Sequence, residues 1–313
     1  MSPSEQQGLV IKTHSGFYTV FSRDRSVICQ LRGTLKQADR KTELCVLGDH
    51  VTFEVLSDGS GVISAIHPRS RSLSRVEPSA YAGTAAERQQ IIIANPDQAV
   101  FVFAAAKPTP NPRLVDRFLV AAENADIPSI ALVLNKIDLV GEGEARSIFG
   151  LYERIGYPVF YVSVKERQGI EGLRDLLSSK ISVFTGPSGV GKTSLLNAIQ
   201  SGLGQAVGEV SQKLTKGKHT TRNAELFALD QGGYIADTPG LRTLAPWDVE
   251  PDELDAYYLE FRPFIEHCQF SDCTHQSEPG CAICAAVEKG QISPERLDSY
   301  HRLREELEAQ YVY

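Results

Sequence analysis

The sequence predicts three consecutive domains: a small all-β barrel, a central α/β domain on a parallel sheet, and a mostly helical domain that carries a cysteine cluster. Three observations favour this order. Short β segments fill roughly the first 70 residues, apolar runs alternate with helical segments after Pro78, and four of the six cysteines lie between positions 268 and 284. A chain of 313 residues is long enough for two or three domains. We place them at residues 1–75, 76–246 and 247–313.

The composition is that of a globular protein. Hydrophobic residues make up 42% of the chain and charged residues 23%, which excludes a disordered or collagen-like protein. No apolar run approaches the roughly 20 residues of a membrane-spanning helix, and the first residues lack the basic and apolar segments of a signal peptide. We therefore expect a soluble, cytoplasmic monomer without a membrane partner.

The first domain is predicted to be a five-stranded barrel. Its β segments are bounded by Gly, Asp, Ser or Pro and lie at 8–14, 17–21, 26–33, 50–56 and 61–67. The number of strands and the size of the domain fit the oligonucleotide-binding (OB) barrel, although other small barrels give the same pattern. Residues 1–75 carry ten Lys and Arg against seven Asp and Glu, whereas the whole chain has a net charge of −7. This asymmetry favours a first domain that meets a phosphate backbone.

The middle of the chain has the pattern of a parallel α/β sheet. Near-continuous apolar runs occur at 91–93, 99–105, 130–134 and 159–163. Helical segments at 114–122 and 144–155 separate them, so we expect buried parallel strands that alternate with helices. Beyond Trp247 the chain becomes acidic and helical, and Ser293-Pro294-Glu295 is typical of the start of a helix.

A phosphate-binding loop lies in its required strand–loop–helix context. The apolar run Ile181–Thr185 leads into the pattern G-x-x-x-x-G-K-T and then into a helical segment at 194–199. Backbone N–H groups of such a loop converge on phosphates, Lys192 reaches the β and γ oxygens, and the Thr193 hydroxyl can bind Mg²⁺. The predicted contacts are Gly186, Pro187, Ser188, Gly189, Val190, Gly191, Lys192, Thr193 and Ser194.

A second motif selects the base. Asn135-Lys136-Ile137-Asp138 follows the apolar run at 130–134, at the edge of a parallel sheet where ligands bind. Guanine presents N1–H and N2–H₂ donors on one edge, so the Asp138 carboxylate can accept both, while adenine presents an acceptor nitrogen there. A solvated surface turn is the alternative interpretation of this motif in isolation.

Two further segments complete a γ-phosphate site. The short strand-like segment Tyr234–Ala236 leads into Asp237-Thr238-Pro239-Gly240, where Asp237 can hold Mg²⁺ through a water and the Gly240 N–H can bond the γ-phosphate. The stretch 213–222 is predicted to close on Mg²⁺ through Thr221, or less favourably through its neighbour Thr220. The alternatives are an ordinary turn for the first segment and a solvated basic loop for the second.

The cysteine cluster has the donors of a structural zinc site. Cys268, Cys273, His275 and Cys281 supply three thiolates and one imidazole, which close a tetrahedral shell and leave no open position. Cys281-Ala-Ile-Cys284 is itself a C-x-x-C pair, so Cys284 is the alternative to His275 as the fourth ligand. Reduced buried cysteines without a metal are the other alternative.

Taken together, these motifs resemble the ribosome small-subunit-dependent GTPase A family. They look like boxes G4, G5, G1, G2 and G3 of translation-factor-class GTPases, in that circularly permuted order instead of G1 to G5. In chain order they are Asn135-Lys136-Ile137-Asp138, Ser163-Val164-Lys165, the loop from 186 to 193, Lys218-His219-Thr220-Thr221 and Asp237-Thr238-Pro239-Gly240. The resemblance covers about residues 8–305.

The resemblance implies a function. It implies an OB-fold barrel, a Mg²⁺-dependent hydrolase that converts GTP to GDP and phosphate, activation by the small (30S) ribosomal subunit, and a late step of its assembly or maturation with binding to rRNA. It adds Ser163 and Val164 to the GTP site and matches the four zinc ligands. Leu241 stands where Ras-like enzymes carry a water-positioning Gln, and the resemblance nominates His219 for that task.

Two other functions stay open on the residues alone. One is a GTP-regulated RNA-binding module that is not tied to the ribosome. The other is a P-loop kinase, against which Asp138 and the absence of an acceptor-site motif argue.

Overall fold

The computed structural model describes residues 5–35, 45–76, 89–208, 223–236 and 249–311. The first two of these ranges contain a barrel of five strands, as predicted. The strands are β1 (Gln6–His14), β2 (Phe17–Ser22), β3 (Arg25–Leu31), β4 (His50–Val55) and β5 (Gly61–Ile66). They pair in the order β1-β2-β3-β5-β4, and β4 returns to pair with β1, which closes the barrel.

Alternating side chains form the barrel core. In β3 the buried positions are Val27, Cys29 and Leu31, while the residues between them face outward. Phe53 and Ile63 are fully buried against them. This alternation is what a half-buried strand requires, and it is the pattern that made the segment recognisable in the sequence.

A two-stranded antiparallel hairpin follows the barrel. It consists of β6 (Ser72–Val76) and β7 (Gln89–Ala94). The apolar run at 91–93 was expected in the parallel sheet, and that prediction is wrong because β7 pairs with β6. An apolar run shows that a strand is buried but does not identify the strand it pairs with.

The central sheet contains β8 (Gln98–Ala104), β9 (Ile130–Asn135), β10 (Val159–Tyr161), β11 (Ile181–Thr185), β12 (Asn223–Ala228) and β13 (Tyr234–Ala236). Their order is β10-β9-β8-β11-β13-β12, and all neighbours are parallel except β12, which is antiparallel to β13. Every residue of β8, β9 and β11 is buried. The continuous apolar runs therefore reflect strands covered on both faces, as predicted.

Four helices cover the two faces of this sheet. They are α1 (Pro112–Asn124), α2 (Glu142–Ile155), α3 (Ile170–Leu177) and α4 (Lys192–Ile199). Phe118 of α1 and Phe149 of α2 pack on one face, and Leu173 of α3 and Leu195 of α4 pack on the other. The helix α1 begins where Asn111 accepts a hydrogen bond from the Arg113 N–H, which caps its first turn.

Strand pairing joins the barrel to the central sheet. Strand β1 pairs antiparallel with β12, and Lys12 forms an ion pair of 2.6 Å with Glu225. Beside this junction the rings of Phe21 and Tyr234 meet edge to face, with centroids 6.5 Å apart. Within the described residues the two domains thus share one eleven-stranded sheet.

The C-terminal region is mostly helical, as predicted. It contains a 3-10 helix (Pro251–Tyr257) and the helices α5 (Arg262–Ile265), α6 (Ala282–Glu288) and α7 (Pro294–Tyr311). Its core is aromatic, because the rings of Tyr258, Phe261 and Tyr300 pack with centroids 5.0 to 5.5 Å apart. In the part of the chain that the structure describes, no helix is long and apolar enough to cross a bilayer.

A buried charge cluster fastens this region to the central domain. Arg296 of α7 is 1% exposed and donates to both Glu260 and Asp116, the latter on α1. Asp116 also accepts a hydrogen bond of 2.9 Å from Tyr152. Burial would lower the pKa of Arg296, but the two carboxylates outweigh it and raise that pKa above its usual value. The guanidinium therefore stays charged and links the two domains.

Removing Arg296 should be costly. We expect Arg296→Ala to lower the free energy of unfolding by about 3–5 kcal/mol, because it leaves Asp116 and Glu260 as buried charges without a partner. Arg302→Ala on the same helix is the matched control. Arg302 pairs with Asp298 at the surface, so its loss should cost only about 0.3–0.5 kcal/mol. Urea denaturation measures both, and similar costs for the two variants would contradict the structural role of the cluster.

Candidate nucleotide and metal sites

The phosphate loop follows β11 and requires glycine at two close approaches. A Cβ on Gly186 would lie 2.0 Å from the Val102 carbonyl oxygen of β8, and a Cβ on Gly191 would lie 2.6 Å from Asn135 Nδ2. Gly191 also has a left-handed φ of +95°. Helix α4 starts at the next residue, so its positive N-terminal end faces the loop.

Two side chains at the start of α4 fit the predicted phosphate and Mg²⁺ contacts. The Lys192 Nζ lies over the loop, where it donates to the carbonyl oxygens of Gly186 at 2.6 Å and Pro187 at 2.7 Å. Thr193 is exposed in the first turn, so its hydroxyl is accessible to a cation. Helix α4 is supported at its other end by Arg174, which donates to the carbonyl oxygens of Ala198 and Ile199.

The base-reading motif is hydrogen-bonded to the phosphate loop. Asn135, at the end of β9, donates from Nδ2 to the Val190 carbonyl oxygen at 2.9 Å. Lys136 donates from Nζ to the Gly189 carbonyl oxygen at 2.6 Å and also to that of Lys107. Asn135 Oδ1 is buried and has no hydrogen-bond partner among the described residues. The segments that follow β9 and β11, two strands separated by β8, thus form one continuous surface.

A serine hydroxyl orients the predicted guanine-reading carboxylate. Ser163 donates from Oγ to Asp138 Oδ1 at 2.7 Å, and Ser163 Oγ itself accepts the Glu166 N–H at 3.1 Å. Ser163 is fully buried, which leaves Asp138 one fixed orientation at the edge of the site. Val164 follows and packs on the core face that contains α3 and α4.

Part of the predicted site lies outside the described residues. The structure brings together the predicted residues of the boxes at 135–138, 163–164 and 186–194, all at the carboxyl edge of the parallel sheet. Lys218, His219, Thr220, Thr221, Asp237, Gly240, Leu241 and Trp247 lie outside the described ranges. Their predicted roles stay predictions.

The predicted metal ligands meet at one point. Ligand atoms of Cys268, Cys273, His275 and Cys281 all lie within 4.8 Å of one another. His275 Nδ1 lies 3.7 Å from Cys268 Sγ and 3.5 Å from Cys281 Sγ. Cys284 is outside this group, and its Sγ instead donates to the His275 carbonyl oxygen at 3.4 Å.

Supporting contacts orient the histidine, and residue spacing did not predict them. The His275 Nε2–H donates to Asp255 Oδ2 at 3.0 Å, which turns Nδ1 toward the thiols. His301 donates to the His275 carbonyl oxygen at 2.7 Å. His275 itself has a left-handed φ of +60° and is 1% exposed. Asp255 lies on the 3-10 helix, 20 residues before His275. Its contact with His275 therefore becomes apparent only in the folded structure.

Backbone groups and a carboxylate complete the metal-binding loop. The N–H groups of Ala282 and Cys284 point at the sulfurs of Cys268 and Cys281, each at 3.4 Å. Glu278 accepts the N–H groups of Thr274, Gln276 and Ser277. Partial burial would raise the pKa of Glu278, but hydrogen bonds from the Thr274 hydroxyl and from backbone N–H groups outweigh it and lower that pKa to about 2. The loop is held in shape by a carboxylate that is charged at neutral pH.

Known protein families match the N-terminal and the central regions of the chain. Residues 66–247 match the family model of the RsgA GTPase, and residues 7–63 match that of the RsgA N-terminal domain. The chain is 41% identical over 303 residues to the small ribosomal subunit biogenesis GTPase RsgA of Gemmatimonas aurantiaca, with 96% of this chain and 97% of that protein covered. The corresponding protein of Shewanella oneidensis is 39% identical over 98% of this chain and 85% of its own length.

Solved structures give the same result. YjeQ from Thermotoga maritima is similar with a TM-score of 0.79 and 35% identity, over 97% of this chain and 99% of that one. YloQ, described as a circularly permuted GTPase, is similar with a TM-score of 0.76 and 30% identity, over 98% and 96% of the two chains. The permuted motif order agrees with the description of YloQ, and the barrel lies in the region that the N-terminal family model matches. The chain therefore belongs to the RsgA GTPase family.

Proposed function

We propose that this chain is a Mg²⁺-dependent GTPase that acts in biogenesis of the small ribosomal subunit, is activated by the 30S subunit and binds its rRNA. The carrying observation is the pair of bonds from Asn135 and Lys136 to the phosphate loop. They support the proposal because they hold the segment of Asp138, a carboxylate suited to guanine, against a loop suited to phosphates. The role in biogenesis of the small subunit is proposed from the names of the relatives, and GTP hydrolysis is proposed from the family.

Guanine recognition follows from the orientation of Asp138. With one oxygen held by Ser163, the carboxylate can accept N1–H and N2–H₂ of guanine at the edge of β9. Adenine would bring a lone pair against the same charge. The site thus selects GTP over ATP by repulsion as well as by attraction.

The phosphate loop and the start of α4 would bind the phosphates. The backbone N–H groups of 186–191 and the helix end would bind the β-phosphate, and Lys192 would move part of its bonding from loop carbonyls to phosphate oxygens. Thr193 is the described residue that would hold Mg²⁺, with Thr221 and, through a water, Asp237 as the further proposed ligands. Bound Mg²⁺ would offset the charge between the β- and γ-phosphates.

Water attack on the γ-phosphate needs a polar group, because Leu241 replaces the usual Gln. We assign that role to His219, with Lys192 and Thr221 stabilising the transferred phosphoryl group. The bond between the γ-phosphorus and the bridging oxygen then breaks, and GDP and phosphate leave. Activation by the subunit fits a basic loop at 213–222 whose closure a large RNA partner would favour.

The cysteine cluster is proposed to hold one structural zinc through Cys268, Cys273, His275 and Cys281. Three sulfurs and one imidazole suit a closed tetrahedral zinc shell. Burial raises the pKa of Cys281 to about 11 and that of Cys273 to about 12, so a bound cation would be needed to keep these thiols ionised at neutral pH. We keep the domain limits at 1–75, 76–246 and 247–313, with the zinc in the third.

The ribosomal role is tested by comparing GTP turnover with isolated small subunits and with naked rRNA. We expect small subunits to raise kcat strongly and naked rRNA to raise it little, because closure of the stretch 213–222 should need a folded partner. Equal stimulation by both would favour a GTP-regulated RNA-binding module instead. Transfer of labelled phosphate to a small acceptor, in place of free phosphate, would indicate a kinase.

Base selection is tested by Asp138→Asn. An amide can accept only one of the two guanine donors, so we expect GTP affinity to fall by about 10- to 150-fold, from the loss of roughly 1.5–3 kcal/mol in bonds to a charged group. The same amide can donate to the extra oxygen of xanthine, so affinity for xanthosine triphosphate should rise. Asp175→Asn, an exposed change on α3, is the matched control, and it should alter neither affinity.

The catalytic assignment is tested by His219→Ala. If His219 orients or deprotonates the water, kcat should fall by about 10²- to 10⁴-fold while the Kd for GTP stays nearly unchanged. Lys218→Ala at the neighbouring position is the control for general disturbance of the loop. Parallel losses of binding and turnover in His219→Ala would make it a structural residue.

The metal site is tested at Asp255, which hydrogen-bonds His275 and is not itself a proposed ligand. We expect Asp255→Ala to weaken zinc binding by about 10- to 100-fold, as loss of a carboxylate behind a ligating histidine does. Asp255→Asn should restore part of it, because its Oδ1 can still accept from Nε2. Asp252→Ala on the same 3-10 helix is the control, since Asp252 pairs with Arg304. Competition with a chromophoric chelator measures the affinities, and unchanged zinc affinity in Asp255→Ala would refute the role.

A further inference from the structure

We propose that a second ligand site lies between the barrel and the central domain and binds a nucleotide unit of single-stranded RNA through its phosphate and base. The cleft there has a volume of about 620 Å³. The barrel contributes His50, the segment after it contributes Arg71, and the central domain contributes Lys180 and Tyr234. A cleft between domains with a volume of about 300–1,000 Å³ is the usual setting of a small-ligand site.

This cleft is distinct from the GTP site. Lys180 precedes β11 and Tyr234 begins β13, so both lie at the amino edge of the parallel sheet. The phosphate loop lies at the carboxyl edge. The five residues of β11 separate the two edges by about 15 Å, at roughly 3.3 Å a residue.

The cations of the cleft have no carboxylate partner among the described residues. Lys180 Nζ contacts the neutral Gln98 Oε1 at 3.2 Å, and Arg71 Nε contacts the Ser70 hydroxyl at 3.3 Å. Arg71 Nη1 is buried and has no hydrogen-bond partner in the described ranges. The carboxylate in the lining, Asp97, accepts the Ile181 N–H at 2.8 Å and keeps its negative charge. Arg71 and Lys180 outnumber it, so the charged side chains of the described lining have a net positive charge and suit an anion.

The wall that carries Arg71 is rigid. Asn95 adopts a left-handed φ of +51°, and its backbone N–H donates to the Arg71 carbonyl oxygen at 3.0 Å. Its side chain accepts the Ser70 N–H at 2.9 Å and donates to the Gly48 carbonyl oxygen at 3.1 Å. Three segments are thus fixed around one amide, so little entropy is lost when a ligand binds there.

An aromatic ring beside the cations favours a nucleotide over a bare anion. The Tyr234 ring is partly exposed and is held edge to face by Phe21. A base stacked on such a ring next to Lys and Arg is the common arrangement in single-strand binding sites. The phosphate has two possible sources, an RNA strand or a free nucleotide. The choice of RNA rests on the proposed function, whereas the cleft and its charges do not.

The test uses the full-length, zinc-loaded protein without GTP or ribosomes, so its outcome is independent of GTP hydrolysis and subunit activation. Fluorescence anisotropy with a labelled single-stranded oligouridylate gives the affinity, and uridine monophosphate serves as competitor. We expect Arg71→Gln and Lys180→Gln each to weaken binding at least 5-fold and to reduce the slope of log K against log salt by about 0.7 per lost contact. Arg154→Gln, exposed on α2, is the control and should change neither.

The ring is tested separately. Tyr234→Phe should keep the affinity and Tyr234→Leu should lose it, because only the former retains a stacking face. An oligonucleotide that contains 4-thiouridine should crosslink at Tyr234 in the unmodified chain and not in Arg71→Gln. Displacement of the oligomer by uridine monophosphate at equal concentration would assign the phosphate to a free nucleotide. Unchanged oligomer affinity in both cation variants, or an equal loss in Arg154→Gln, would refute the site.

Discussion

Everything at the nucleotide site depends on the bonds that tie the end of β9 to the phosphate loop after β11. Asn135 and Lys136 donate to two successive carbonyl oxygens of that loop, and β8 separates the two strands. In sequence these segments are about 50 residues apart and in permuted order. Because parallel strands present their carboxyl ends at one edge, the site needs only the spatial order of strands, and the order along the chain is free to change.

The neighbouring domains attach to the central sheet by different physical means. The barrel adds β1 to β12 through main-chain bonds and the ion pair of Lys12 with Glu225. The C-terminal domain is fastened through Arg296, a charge buried between two carboxylates. Along the chain, the stretch 213–222 leads into β12, and Asp237-Thr238-Pro239-Gly240 leads toward the C-terminal domain. Both segments proposed to sense the γ-phosphate therefore continue into elements that contact another domain.

Much of this could be predicted because it rests on local chemistry. The phosphate loop, the base-reading motif and the spacing of the four metal ligands each require particular residue types at fixed distances along the chain, and the structure brings their described members together. Strand pairing is not local, which is why the apolar run at 91–93 was assigned to the wrong sheet and β12, with the mixed sequence Asn-Ala-Glu-Leu-Phe-Ala, was not recognised. Asp255 and Arg296 act across 20 and 180 residues, so no spacing rule reveals them.

The base-reading and phosphate-binding loops should form one preassembled surface, which titration calorimetry with pyrophosphate can test. Pyrophosphate has no base, so Asp138→Ala should lower the affinity for GDP and leave the affinity for pyrophosphate unchanged. Asn135→Ala removes the hydrogen bond to the Val190 carbonyl oxygen. It should lower the affinity for both GDP and pyrophosphate, because the phosphate loop loses this support. Full pyrophosphate affinity in Asn135→Ala would show that the two loops act independently and do not form one preassembled surface.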